Sequence, residues 1–137
     1  DYYAYVQQHI LDVAGMARTG SLPETTPVEG RAIGYLRQGE AWVPNGDTLP
    51  FRGSPAGGGY ATARDLHRFV QALQAGKLLS PPMVAEATRL QSGWQGLGFE
   101  VVGEGALASY GHGGMAPGMN AHLRVYPQLD VTIVVLS

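Results

Sequence analysis

Four short apolar runs, Leu97–Val102, Ala106–Tyr110, Ala121–Tyr126 and Val131–Leu136, fill the second part of the chain, each bounded by turn residues. No other feature restricts the fold as much. Runs of this length fit strands better than helices. Glu104-Gly105 and Pro127–Asp130 read as hairpin turns. Strands joined by links this short pair antiparallel, because a parallel crossover needs a dozen residues or more. Val131–Leu136 is apolar at both parities, so it is expected to be covered on both faces.

Upstream the pattern is helical, then loose, then helical again. Tyr2, Val6, Ile10 and Val13 fall at helical spacing, and Gly15 is a suitable stop. Residues 16–60 hold Pro23, Pro27, Pro44, Pro50 and Pro55 and the turn signal Asn45-Gly46-Asp47, with one short strand expected near Ala32–Leu36. Loops this long in a compact domain tend to be functional. Thr62 stands three residues before Asp65, a capping-box spacing, and Leu66, Phe69, Val70 and Leu73 follow as one apolar stripe that Gly76 closes. Ser80-Pro81 opens another helix toward Leu90, with Met83, Val84 and Ala87 expected to face inward. Helices followed by a meander make an α+β class, an antiparallel sheet packed with helices. The 137 residues amount to a single domain, with a helical and loop part at 1–92 and antiparallel strands at 94–137.

Charge and composition remove several functions. Nine Lys and Arg against eleven Asp and Glu give a net charge of −2 without a basic block, so no nucleic-acid partner is expected. No apolar run reaches the roughly 18 residues of a membrane span. The absence of cysteine removes disulfides and thiol nucleophiles. His9, His67, His112 and His122 form neither H-E-x-x-H nor H-x-H, so neither a metal nor a cofactor is expected. His9 and His67 read as solvated helix residues, and His122 as a half-exposed sheet residue. Gly57-Gly58-Gly59 reads as a turn entering a capped helix rather than a phosphate loop. None of the six serines lies in G-x-S-x-G. The single lysine, Lys77, has Gln at position 74, so there is no S-x-x-K, and no Tyr is followed two positions later by Asn.

One constellation carries chemistry. Ala108-Ser-Tyr-Gly-His112-Gly-Gly-Met-Ala-Pro-Gly118 reads as a strand ending in a histidine with glycines at 111, 113, 114 and 118. Glycine in a strand often marks close approach by a ligand or another backbone. Histidine can exchange a proton near neutral pH, and main-chain N–H groups can serve as oxyanion donors. On these residues alone, a bulged hairpin whose glycines serve only the turn is the more ordinary reading.

Five blocks in order resemble the serine β-lactamase-related family, which includes class C β-lactamases, D-Ala-D-Ala peptidases and related esterases. Val13-Ala-Gly-Met-Ala-Arg-Thr19 is similar to P-L-G-M-x-x-T, with Val13 for Pro and Ala14 for Leu. Ala56-Gly-Gly-Gly-Tyr-Ala-Thr-Ala-Arg-Asp-Leu66 resembles A-G-G-x-x-S-T-x-x-D-L, with Ala61 for Ser. Leu78-Leu-Ser-Pro81 resembles a frequent helix entry, and Gly96-Leu-Gly-Phe99 a G-L-G-[WF] strand. Gly111-His-Gly-Gly114 with Pro117-Gly118 resembles the H-x-G element and the turn after it.

The resemblance implies a partial β-lactamase/transpeptidase-like fold and acyl transfer from a β-lactam, D-Ala peptide or ester. His112 would stand in the third motif, Gly113, Gly114 and Tyr110 would border the substrate, and the Met115 main-chain N–H would be an oxyanion donor. S-x-x-K and Y-x-N would lie upstream, so the chain reads as the C-terminal portion of a hydrolase, inactive alone. The expected partners are a small-molecule or peptide substrate in the longer protein and, for the chain alone, further copies of itself. The family's usual setting implies a periplasmic or extracellular location. A binding or assembly module that kept the fold without catalysis is the alternative from another class, and an unrelated α+β domain with a glycine-rich hairpin is a third.

Overall fold

The computed structural model describes all residues, 1–137. The N-terminal helix is continuous but changes pitch, from α1 (Tyr2–Val6) through a π-helical stretch, Gln7–Leu11, to α2 (Asp12–Ala14). Asp1 caps it by accepting the Ala4 N–H at 2.9 Å, and Gly15 ends it in the left-handed conformation, φ 69°.

The loose region contains a two-stranded ribbon, β1 (Tyr35–Gln38) paired with β2 (Ala41–Pro44). The single strand expected at 32–36 thus starts later and has a partner. Gly39 at φ 61° makes the tight turn between them. The second strand escapes periodicity because Ala41, Trp42 and Pro44 are all exposed.

α3 (Ala63–Gln74) starts as expected, with the Thr62 hydroxyl accepting the Asp65 N–H at 3.1 Å. α4 (Pro81–Ala87) follows. It buries Ala87 and half-buries Val84, but Met83 is exposed, contrary to its expected inward face.

The four-stranded antiparallel sheet has the order β3 (Glu100–Val102), β4 (Ser109–Ala116), β5 (Met119–Tyr126), β6 (Val131–Leu136). Two strands differ from expectation. Residues 97–99 form a turn, with Gly98 at φ 78° and the Gly96 N–H bonded to the Phe99 carbonyl at 2.7 Å. Residues 105–107 are a 3-10 turn, so β4 begins at Ser109 and runs through the glycines to Ala116. The Pro127–Asp130 turn forms as expected, with Asp130 left-handed at φ 52°.

Alternate residues of a strand share a face. Tyr110 and Val125, cross-strand neighbours, meet Val70 and Leu73 of α3 to form the core, with Phe99, Val101 and Leu123 packed around them. The other face carries Val131, Ile133 and Val135, exposed by 41, 44 and 53%. Within these residues β6 is therefore covered on one face only.

Candidate active site

All five residues singled out for the site lie on β4, whose pleat sends them in three directions. Tyr110 and His112 share the face toward α3. Tyr110 is buried against Phe99, ring centroids 5.3 Å apart, and burial raises its phenol pKa. Its expected place beside a substrate is corrected by this packing: the ring supports the strand from inside the core. His112, two residues on, is exposed. Its Nδ1 lies 2.5 Å from the Gly113 carbonyl. With Nδ1–H donating there, Nε2 keeps its lone pair free for a ligand.

The opposite face belongs to Gly113. A Cβ there would lie 3.1 Å from Nδ1 of His122, the residue directly across the ladder. His122 is exposed beside Gly113, in keeping with its reading as a sheet residue. Beyond it, Arg124 pairs with Glu100 at 2.6 Å, and Glu100 also accepts the Gly113 N–H at 3.3 Å. Burial opposes ionisation of Glu100, but Arg124 and the Gly113 N–H outweigh it and hold the carboxyl below the usual range.

The third direction is the strand edge. Asn120 exchanges both main-chain bonds with Ser137, at 2.8 and 2.9 Å, on the β6 side. Its cross-strand partner Met115 therefore turns its N–H and C=O away from β5. β3 reaches only as far as Gly111. The Met115 N–H thus faces an edge that no strand of this chain covers. At Gly114 a side chain would meet nothing within 4 Å, whereas at Gly111 it would run into the Leu123 carbonyl. Gly111 serves the close pairing of β4 with β5, whereas the space around Gly114 is open.

The other sequence blocks build the frame. The Asp65 carboxylate, 1% exposed, accepts the Arg18 N–H at 2.7 Å, the Thr19 hydroxyl at 3.0 Å and Arg68 at 2.9 Å. Burial raises its pKa, and these donors together bring it below the ordinary Asp value. Gly20 and Tyr60 exchange main-chain bonds at 3.0 and 2.9 Å. The blocks at 13–19 and 56–66 are thus one junction rather than two sites. No three His, Asp or Glu residues converge closely enough to hold a metal ion. No helix is long and apolar enough to cross a membrane.

Known proteins share this fold. The putative penicillin-binding protein PbpX of Bacillus subtilis (strain 168) is 33% identical over 138 residues, covering 98% of this chain and 34% of that protein. The crystal structure of a penicillin binding protein from Bacillus halodurans superposes with a TM-score of 0.91 at 25% identity, over 99% of this chain and 44% of that one. The octameric penicillin-binding protein homologue from Pyrococcus abyssi gives 0.85 at 20% identity, over 100% and 33%. The chain thus spans less than half the length of each. The match to the Beta-lactamase family runs over residues 1–137 without a break. With no part of the sequence outside that likeness, the chain belongs to the beta-lactamase family.

Proposed function

We propose that this chain forms one wall of a serine acyl-transfer site, whose nucleophile and base come from sequence outside residues 1–137. The observation that best supports this is the Met115 N–H on a bare strand edge, with His112 three residues before it. A serine oxygen attacking a lactam, amide or ester carbonyl turns the carbonyl oxygen into an oxyanion, to which the Met115 N–H would donate. The leaving amine or alcohol departs with a proton, and water then cleaves the acyl-serine. One such donor contributes about 10²–10³ in rate. His112, through Nε2, would place or polarise the substrate.

The test uses the full-length protein that carries this chain, assayed on a chromogenic cephalosporin, a D-Ala-D-Ala peptide and a p-nitrophenyl ester. Turnover of one of these, an acyl-serine adduct by mass spectrometry and a loss of about 10²-fold in His112→Ala are the expected results. No turnover and no adduct would refute it.

A binding or assembly module is the second reading, favoured by the uncovered apolar face of β6. On either reading we propose that the isolated chain associates with itself there, because bare apolar faces and open edges attract further chains.

A further inference from the structure

The turn that closes the β4–β5 hairpin is the wrong hand for its strands. Ala116 pairs with Met119, leaving Pro117 and Gly118 as a two-residue loop. The proline ring fixes a negative φ, and Gly118 stands at φ 75°. That is a type II arrangement, whereas the right-handed twist of paired strands favours the mirror-image turns with positive φ at the first loop residue. Left to itself such a turn splays the hairpin, and with it the segment from His112 to Met115.

A distant residue offsets this. Asn45, 1% exposed, donates from Nδ2 to the Pro117 carbonyl at 2.8 Å, across 72 residues of sequence. Its own backbone is fixed as well: its N–H bonds to the Gly34 carbonyl at 2.9 Å, and its carbonyl accepts from the Thr48 N–H at 2.8 Å and hydroxyl at 2.7 Å. Around this bond the two segments touch closely. A Cβ on Gly34 would lie 2.8 Å from the Gly118 carbonyl, and one on Gly118 would lie 2.6 Å from the Tyr35 carbonyl. The ribbon of β1 and β2 is thus seated on the hairpin tip through glycines on both sides.

The geometry points to Asn45 as a positioning residue: by holding the Pro117 carbonyl it sets the β4 edge, and so the Met115 N–H two residues earlier. This rests on the acyl-transfer reading above for its catalytic consequence, but not for the clamp itself.

The two parts separate in one experiment on the full-length protein, combining peptide-level hydrogen exchange with kinetics on the best substrate above. Asn45→Asp keeps the shape and presents a carboxylate oxygen, not a donor, to the carbonyl. Asn45→Ala removes the group. Thr48→Val removes the hydroxyl bond to the Asn45 carbonyl but leaves the Thr48 N–H bond and the Asn45 Nδ2–Pro117 bond in place. In both Asn45 variants, exchange across residues 111–123 should rise about ten-fold or more, while that of α3 stays unchanged. Values of kcat should fall about 10–10²-fold with KM within about two-fold, the mark of lost positioning rather than lost binding. Thr48→Val should move neither. In the wild type the Asn45 side-chain amide protons should be slow to exchange by NMR, a measurement that needs no variant to fold. Unchanged hairpin exchange, or a freely exchanging Asn45 amide, overturns the clamp whatever the activity. Faster hairpin exchange with unchanged kcat overturns the positioning role. Faster exchange in a protein that turns over none of the substrates supports the clamp and refutes the acyl-transfer reading instead.

Discussion

Replacing Asp65 by Asn keeps the shape of the side chain and removes its charge. Oδ2 of Asp65 accepts both the Arg18 N–H and the Thr19 hydroxyl, and Oδ1 meets Arg68. The Arg68 side chain is 43% exposed, so solvent screens that pair and its loss costs under about 1 kcal/mol. The buried pair of bonds decides the outcome. Hydrogen bonds to a charged group contribute about 1.5–3 kcal/mol each, against about 1 for neutral partners. An Asn turned with its oxygen toward Arg18 and Thr19 keeps both bonds without charge assistance, a loss of about 2–3 kcal/mol. Urea unfolding of the purified protein reads this directly: with a slope near 2 kcal/mol/M, the midpoint should fall by about 1–1.5 M. The pH dependence gives a second reading. The folded pKa of Asp65 is lowered, so its contribution is present above the unfolded value of about 3.9 and fades as pH falls from there through the folded pKa. The gap between wild type and Asp65→Asn should therefore narrow below about pH 4 and stay constant above pH 5. A midpoint unchanged by Asp65→Asn at pH 7, or a gap that widens in acid, would refute the argument that charge at this junction holds residues 16–20 to α3.

Met115→Pro removes the N–H that faces the open edge and costs no ladder bond, so stability should change little while, on the acyl-transfer proposal, the full-length protein loses about 10²–10³ in kcat. A rate within about three-fold of wild type would remove the Met115 amide from the mechanism. Ile133→Glu places a charge on the bare face of β6. By light scattering the isolated chain should associate with rising concentration and the variant should stay monomeric; a wild-type chain monomeric throughout would refute association by this face.

The α+β architecture was legible because its signals are local. Thr62 and Asp65 mark a helix start by spacing alone, and Gly15 and Gly76 mark ends by needing positive φ. The meander showed through short apolar runs bounded by turn residues. What escaped depends on contacts between distant segments. Gly96-Leu-Gly-Phe99 looks like the start of a strand, yet Gly98 turns it, and Leu97 bonds back to Ala87 at 2.8 Å. Tyr110 sits beside a glycine-rich segment, but pleat parity sends its ring to the core. Gln38-Gly39-Glu40 was a hairpin signal that could have revealed β2. Asn45 read as part of a turn, and its bond to Pro117 has no counterpart in local sequence. The Glu100–Arg124 pair likewise becomes visible only when β3 is laid against β4 and the register sets Gly111 across from both.

Because β4 divides its duties by parity, the hairpin has a reading frame. His112 belongs to one face, Gly113 to the other and the Met115 N–H to the edge. One residue inserted between Gly111 and Met115 would turn the imidazole toward Arg124 or swing the amide back toward β5. The Pro117-Gly118 loop, seated on Gly34 and Tyr35, has no slack to absorb the shift. Length changes in this hairpin should therefore be accepted only in steps of two residues, with a matching pair added to β5.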